Sequence, residues 1–468
     1  MSCMRPIFFS VLVIRVLTAL SVVSAQAQPA PQVFTLDEAI QYAVDHYPTV
    51  RAALQEVNAS TAGVDVARAA YLPRLDSTWQ SNRATANNVF GQVLPQGIMP
   101  SLSGPVLPSA SSHSVWGSAT GALLSWEPFD FGLRHAGVVG AEAGLTQARA
   151  GETLTRLDVQ NAVAQAFLAM LAAQRTATAT QADLDRRNVL LRSAQTLVDN
   201  QLRPGADSSR AEAERAAAQT RLSQAQQTLT IAQAILSRVL GITASGVTIA
   251  GDQLLTRLPP ADIPPAAANA HPLAQVRQAT VDQARALENI LARTDFPRVF
   301  VQSSVFARGS GANPNGVLDG GIDGLGLDRT NWAAGIQVLF PNVFDFSTLR
   351  ARKAAAAASE RASAALYDEA LLTITSEQQT AAALLQTTRA IAANTPVQLA
   401  AAQQSETQAR ARYDAGLASI IEVADAQSLL AQAEVQDQLA RVDVWRALLA
   451  AAVARGDLTP FVNLVRQP

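Results

Sequence analysis

Residues 128–136 read PFDFGLRHA and residues 343–351 read VFDFSTLRA, so a Phe-Asp-Phe phrase with its arginine occurs twice, Asp130 and Asp345 standing 215 positions apart. The match is not isolated. Pro48 in HYPTV precedes Pro73 in YLPRLDSTW by 25 residues, and Pro272 in AHPLA precedes Pro297 in DFPRVFVQS by the same 25. The offset at these prolines is 224, so the earlier copy holds 9 more residues between Pro73 and Asp130, where a loop can absorb them. Ordered recurrence at this distance means that one structural unit is written twice. The expected organisation is a first repeat over 28–258 and a second over 259–468.

Both copies read in the same order. A helix opens at a proline, over 48–70 and again over 272–293, because the missing N–H of proline would be unpaired in a first turn anyway. In the second of these, Leu273, Val276, Leu287 and Ile290 share a face. A β-hairpin follows, over about 75–126 and then about 298–340. A very long helical stretch comes next, over about 136–200 and 348–413. After the breaks RPGAD (203–207) and DAGLASI (414–420), further helices run over about 208–240 and 421–455. At about 1.5 Å per residue the long helices reach roughly 100 Å, and each shorter pair laid end to end nearly matches one of them. The helices are rich in alanine, as in RKAAAAASERASAA at 352–365, which favours helix and lets backbones approach closely. Larger apolar residues recur along a narrow stripe, as Val423, Leu430, Val435, Leu439, Val442 and Leu449. Such stripes suit helices packed side by side, in a barrel or in a plain soluble coiled coil.

The hairpins separate those two possibilities. In TNWAAGIQVLF (330–340), Trp332, Ala334, Ile336, Val338 and Phe340 alternate with Asn331, Ala333, Gly335 and Gln337. In RVFVQSSVFAR (298–308), Val299, Val301 and Val305 lie opposite Gln302 and Ser304. These lengths and this alternation fit lipid-facing strands of about 9–11 residues. Trp79, Trp116, Trp126 and Trp332, four of the 5 tryptophans, fall in the hairpins and are candidates for interfacial aromatics; the competing reading is two ordinary hairpins with core tryptophans. Four strands cannot close a membrane barrel, since the smallest have about eight. An open edge in lipid leaves backbone groups unpaired at several kcal/mol each, so membrane-spanning strands here require several chains.

Other classes fall away. The net charge of −2, with Lys353 the sole lysine, makes no basic field for nucleic acid. The single cysteine, Cys3, allows no disulfide framework. His46, His113, His135 and His271 are scattered, and no nucleophile motif, phosphate loop or metal-ligand cluster is present, so neither enzyme activity nor a metal or other cofactor is expected. An apolar stretch, VLTALSVV, followed by Ala25-Gln26-Ala27, reads as a secretory signal over 1–27.

Three phrases resemble the TolC-type outer-membrane efflux protein family: TLDEAIQYAVDHYP at 35–48, PFDFGLR with VFDFSTLR, and RYDAGLASIIEVADAQSLL at 412–430. The first copy departs from the last phrase, with Val198 and Gln201 where Tyr413 and Gly416 stand. The resemblance implies a mainly α fold with a membrane β-barrel: a homotrimer whose 12-stranded barrel continues into a long periplasmic α-helical barrel. Phe129, Asp130, Phe344 and Asp345 would then mark strand-to-helix junctions, with the aspartates capping the long helices. It also implies a passive exit duct in the outer membrane for drugs or metals, working with a periplasmic adaptor protein and an inner-membrane transporter. Type I protein secretion and a periplasmic coiled-coil scaffold are the alternatives. The periplasmic gate would be lined by Glu422, Asp425 and Asp207, although the same acids also suit helix starts through the dipole. An arginine that some members carry at the position of Ala418 is missing, which puts a salt-bridge latch through that position in question.

Overall fold

The computed structural model describes residues 33–85, 112–242, 247–256, 258–259, 262–312, 317–318, 322–342 and 345–466. The signal segment, Phe344 and most of the first hairpin's loop lie outside the described residues. In chain order, a short β1 (Val33–Phe34) leads into α1 (Leu36–His46) and α2 (Pro48–Ala69). Strands β2 (Arg74–Thr85) and β3 (Ser114–Phe129) precede α3 (Leu133–Asp199) and α4 (Gly205–Leu240). After β4 (Thr248–Ile249) and α5 (Gln253–Thr256), the order helix, strand, strand, long helix, helix returns. It comes as α6 (Pro272–Arg293), β5 (Arg298–Ser310), β6 (Arg329–Leu339), α7 (Phe346–Asp414) and α8 (Ile420–Arg455), and α9 (Thr459–Arg466) closes the chain.

Helices α2 and α4 both pack along α3, and α6 and α8 both pack along α7, while α3 also touches α6 and α8. The local signals are plain. Thr35 with Glu38, and Ser419 with Glu422, form capping boxes at α1 and α8. Pro48 and Pro272 open their helices, and Gly241 and Gly456 end α4 and α8 in the left-handed region. His271 caps α6: its Nδ1 accepts the Leu273 N–H, while its Nε2 donates to the Val453 carbonyl. Along α6 the buried residues include Ala274, Ala279, Val281 and Ala286, whereas Leu287 is exposed. The seam is therefore set by small side chains instead of the larger ones that share a face in the sequence, because close helix approach selects against bulk.

The main core sits at mid-height. Leu157–Ala173 of α3, the end of α4, the end of α8, α1 and α9 meet there, and Phe167, Leu168, Leu171, Leu448 and Phe461 are fully enclosed. The Trp445 indole N–H donates to the Leu254 carbonyl at 2.6 Å and its ring meets Phe461 edge-on. The segment that joins the two halves is fastened to α7 and α8 by side chains. Arg441 donates to the Leu255 carbonyl, Arg455 to that of Pro264, and Gln378 to those of Ala266 and Ala454.

Below the core, Arg187 of α3 is 1% exposed and joins three helices. It donates to Asp183 at 3.0 Å, to Glu214 of α4 at 2.9 Å and to Ser428 of α8 at 3.0 Å. Removing one member of a buried ionic cluster strands the other charges, whereas replacing the cluster by apolar residues often costs little. Arg187→Ala is expected to lower unfolding stability in denaturant titration by about 3–5 kcal/mol, and Asp183→Leu with Arg187→Met by clearly less.

Candidate functional site

The four long strands form one antiparallel sheet in the order β2-β3-β5-β6, and its two faces differ. One rung carries Ser77, Ala122, Val305 and Trp332; two residues farther from the helices the same face carries Trp79, Thr120, Ala307 and Thr330. Trp116 and Trp126 belong to this face as well, so all four hairpin tryptophans share it. Trp79 is 73% exposed, Trp332 78% and Ile336 75%. Trp126 lies toward the helical end, Trp116 toward the far end, and the other two between them. Intervening rungs carry polar or small groups except for the buried Phe306: Thr78, Gly121, Phe306 and Asn331, then Gln80, Ala119, Arg308 and Arg329. Gly121 is required there, because a Cβ would stand 2.8 Å from that of Phe306. The outer edges of β2 and β6 have no strand partner among the described residues. No described helix is long and apolar enough to cross a membrane.

The first strand-to-helix junction explains its phrase residue by residue. A bulge lies between Trp126 and Phe129, next to Pro128, which has no N–H to give the ladder. The chain then turns through two left-handed residues, Phe131 (φ 52) and Gly132 (φ 91). Asp130 holds this turn: it accepts from the Gly132 N–H at 3.1 Å, the Arg134 N–H at 2.6 Å and the Arg134 guanidinium at 2.9 Å. Burial alone would raise the Asp130 carboxyl, but the Arg134 N–H and guanidinium and the Gly132 N–H outweigh it and hold the group below the usual carboxylate range. Arg134 also lies over the Tyr71 ring at 4.7 Å and donates to the Ala70 carbonyl, locking α2 against α3. The second junction differs from the expectation. Asp345 occupies the N-cap position of α7, but its exposed side chain makes no cap hydrogen bond. Ser347 stands where Gly132 stands, so the left-handed turn is made earlier, at Asn342 (φ 57), and the aspartate no longer aims at the helix N–H groups.

At the other end of the molecule the α3–α4 and α7–α8 turns pack together around Leu190, Ala194, Tyr413, Ile420 and Val423. Each turn ends its long helix with a left-handed residue, Gln201 (φ 58) and Gly416 (φ 77). Gln201 therefore keeps the glycine conformation at the steric cost of a side chain. Glu422 sits in the α8 capping box, its carboxylate accepting the Ser419 N–H at 3.2 Å, and lies 3.6 Å from Arg412. Asp425 is exposed on the next turn of α8. Asp207, in the first turn of α4, faces the hydroxyl of Tyr413, without hydrogen-bond geometry. Tyr413 is 1% exposed; burial, then the Asp207 charge, push its phenol above the usual range, partly offset by Arg203.

Arg203 was not singled out in the sequence, and it makes the link between the turns. Its guanidinium lies 4.8 Å from the Tyr413 ring centre, and Nη2 donates to the Tyr413 carbonyl at 3.2 Å and the Ala418 carbonyl at 3.3 Å. An arginine from the first half thus reaches the backbone at Ala418, the position whose own arginine is missing. The RPG sequence gives no hint of this, because the partners lie 210 and 215 residues away. No group of three or more potential metal ligands occurs among the described residues.

The family described as outer membrane efflux protein matches residues 39–242 and 263–456. Among solved structures, the chain is similar to the outer membrane protein VceC of Vibrio cholerae, with 17% identity, a TM-score of 0.70, and 90% of this chain and 96% of that chain covered. It is similar to the CmeC outer membrane channel of Campylobacter jejuni (15% identity, TM-score 0.73, 92% and 89% covered). It is likewise similar to the open state of the MtrE outer membrane channel of Neisseria gonorrhoeae (18% identity, TM-score 0.70, 90% and 89% covered). A comparison with curated proteins gives no match.

Two expectations follow for the turns. Gln201→Gly relieves the left-handed side chain and should stabilise the α3–α4 turn by about 1 kcal/mol, read as slower hydrogen exchange of its amides. Arg203→Ala should speed exchange at residues 415–419 by about tenfold, and Arg203→Lys should not restore it, because an ammonium cannot lie flat on the ring while reaching the carbonyls.

Proposed function

The chain belongs to the outer membrane efflux protein family, and from that premise we propose that it is the outer-membrane exit duct of a tripartite efflux system. The sheet carries this reading: four strands with every hairpin tryptophan on one exposed face, mainly polar and small groups on the other, and two edges without a strand partner among the described residues. A water-exposed scaffold would not present Trp79, Trp332 and Ile336 to solvent in register. In lipid the edges of β2 and β6 need partners, and three copies pooling four strands each give a closed 12-stranded barrel, with the aromatic face outward and the polar face lining a pore. The helices that leave the sheet continue this wall into the periplasm. Long helices with exposed apolar residues such as Leu372 and Val397 on α7 would find cover on neighbouring subunits.

The duct is passive. In this reading an inner-membrane transporter supplies the energy and a periplasmic adaptor joins the two. The cargo class is small molecules, drugs or metals, that pass from periplasm to exterior. The gate is the end where the α3–α4 and α7–α8 turns meet. Glu422 and Asp425 stand on the first and second turns of α8 and would form stacked acidic rings in a trimer, with Asp207 on the first turn of α4. The capping role of Glu422 is compatible with this, since its second oxygen turns to Arg412.

The reading is tested by fractionation and electrophoresis of the full chain. Sedimentation with outer membranes and SDS-resistant oligomers that dissociate on heating are expected; a detergent-free soluble monomer would sink the duct. Deleting the gene should sensitise cells to some members of a panel of drugs and metals. At the gate, Glu422→Ala with Asp425→Ala should change single-channel conductance in planar bilayers and reduce the preference for potassium over chloride by about twofold or more. Unchanged values would remove both residues from the gate.

A further inference from the structure

The tryptophan face of the sheet changes character toward its far end. Beyond the rung of Trp79 and Thr120, the next rung on that face carries Ser81, Ser118 and Gly309, all small. Part of the second hairpin's own connection lies over this rung. Residues 322–328, IDGLGLD, make a tight turn at Asp323–Leu325 that packs on β3 and β5. The Ser118 hydroxyl donates to the Gly324 carbonyl at 3.1 Å. Backbone meets backbone here: a Cβ on Gly309 would strike the Gly326 carbonyl oxygen, and one on Gly324 would strike that of Trp116. Ser118 and Gly309 keep the side-chain parity of Trp79 and Trp332, with no bulge between, so the segment lies on the tryptophan side of the sheet.

This anchoring buries a glycine and leaves the larger side chains outside. Gly324 is buried, whereas Ile322 is 70% exposed, and Leu325 and Leu327 are exposed as well. An apolar group of this kind calls for a cover, and a neighbouring copy and lipid compete for it. A copy that extends the sheet pairs along the edges of β2 and β6, whereas the segment lies over β3 and β5, the two inner strands. Its level favours lipid. The Ser118–Gly309 rung stands eight residues along β3 from the Trp126–Val301 pair. At the rise and tilt of membrane strands that is a height of about 20 Å, near the top of an apolar band about 25 Å tall. Asp323 and Asp328, both exposed, set the depth, because a carboxylate is costly in hydrocarbon and belongs at the headgroup boundary.

We propose that residues 322–327 are a lipid-contacting strap that lays Ile322, Leu325 and Leu327 among the acyl chains of the outer leaflet, just below the headgroups. This rests on the duct reading, in which the tryptophan face meets lipid. The strap continues the apolar belt across a level where the strands themselves present only serine and glycine. It fixes the depth of the rim with side chains that belong to a connection instead of a strand.

The test uses the full chain with Cys3→Ser and one introduced cysteine carrying an environment-sensitive fluorophore, reconstituted in phosphatidylcholine vesicles. Leu325→Cys is the probe, Ile336→Cys on the tryptophan face is the lipid reference, and Gln337→Cys on the opposite face is the pore reference. A nitroxide on the acyl chain near the headgroup should quench the label at position 325 about twofold or more over iodide in the buffer, as at position 336, with the reverse order at position 337. If Leu325→Cys forms no SDS-resistant oligomers, Ile322→Cys is read instead, with the same order expected. A strap label that follows position 337, quenched by iodide alone, overturns the strap, while lipid quenching at position 336 leaves the duct standing. No lipid quenching at position 336 overturns the duct reading, and the strap with it.

Discussion

An open sheet edge is the constraint on which the rest of this molecule turns. Among the described residues four strands pair in the order β2-β3-β5-β6, which leaves a row of backbone N–H and C=O groups along β2 and another along β6 without a strand partner. In water such edges invite aggregation; in hydrocarbon each unpaired group costs several kcal/mol. The aromatic, exposed face of the same strands points to hydrocarbon. On the proposed duct reading, the chain would reach a stable membrane form only with copies of itself. The helices carry the same incompleteness in another form, since their alanine seams bury narrow stripes and leave residues such as Leu372 in the open.

Within one chain the two halves are made to act together by side chains that reach across. Mid-height, the segment joining the halves is fastened by Arg441, Trp445, Arg455 and Gln378, so it behaves as part of the core instead of a tether. Lower down, Arg187 bridges α3, α4 and α8. At the turns Arg203 grips the α7 end and the backbone at Ala418. These links lie at successive levels of the helices, and the last belongs to the same pair of turns as Asp207 and Glu422. If the turns form the proposed gate, opening it would require the Arg203 contacts to be released or carried along, whereas the buried Arg187 cluster above could stay intact.

Legibility in the sequence followed the range of the physics. Pro272 marked the start of α6 because a first turn tolerates a missing donor, and the alternation at 330–340 marked β6 because side chains in a strand change face at every residue. The buried stripe of α6 was harder to see. Alanine is a helix former everywhere, so composition alone did not tell Ala274 and Ala279 from their exposed neighbours. The two Phe-Asp-Phe phrases looked equivalent, yet one glycine against one serine moved the left-handed turn and took Asp345 off cap duty. Arg203 was invisible for a different reason: its ring contact and both carbonyls belong to the other half of the chain, and no local pattern encodes a contact over that distance.

The distribution of charge follows from the same long, two-ended architecture. Helix starts favour acids through their dipoles and caps, so an end built from the first turns of α4 and α8 collects Asp207 and Glu422 for reasons of folding alone. Strands exert no such pull. Arginines there are placed by partners of their own: acids pair with Arg74 and Arg298, and aromatic rings lie beside Arg83 and Arg308. Acids at the turn end thus come with the helices through dipole and cap, whereas each of these strand arginines is held by a specific neighbour, an acid for Arg74 and Arg298 and a ring for Arg83 and Arg308.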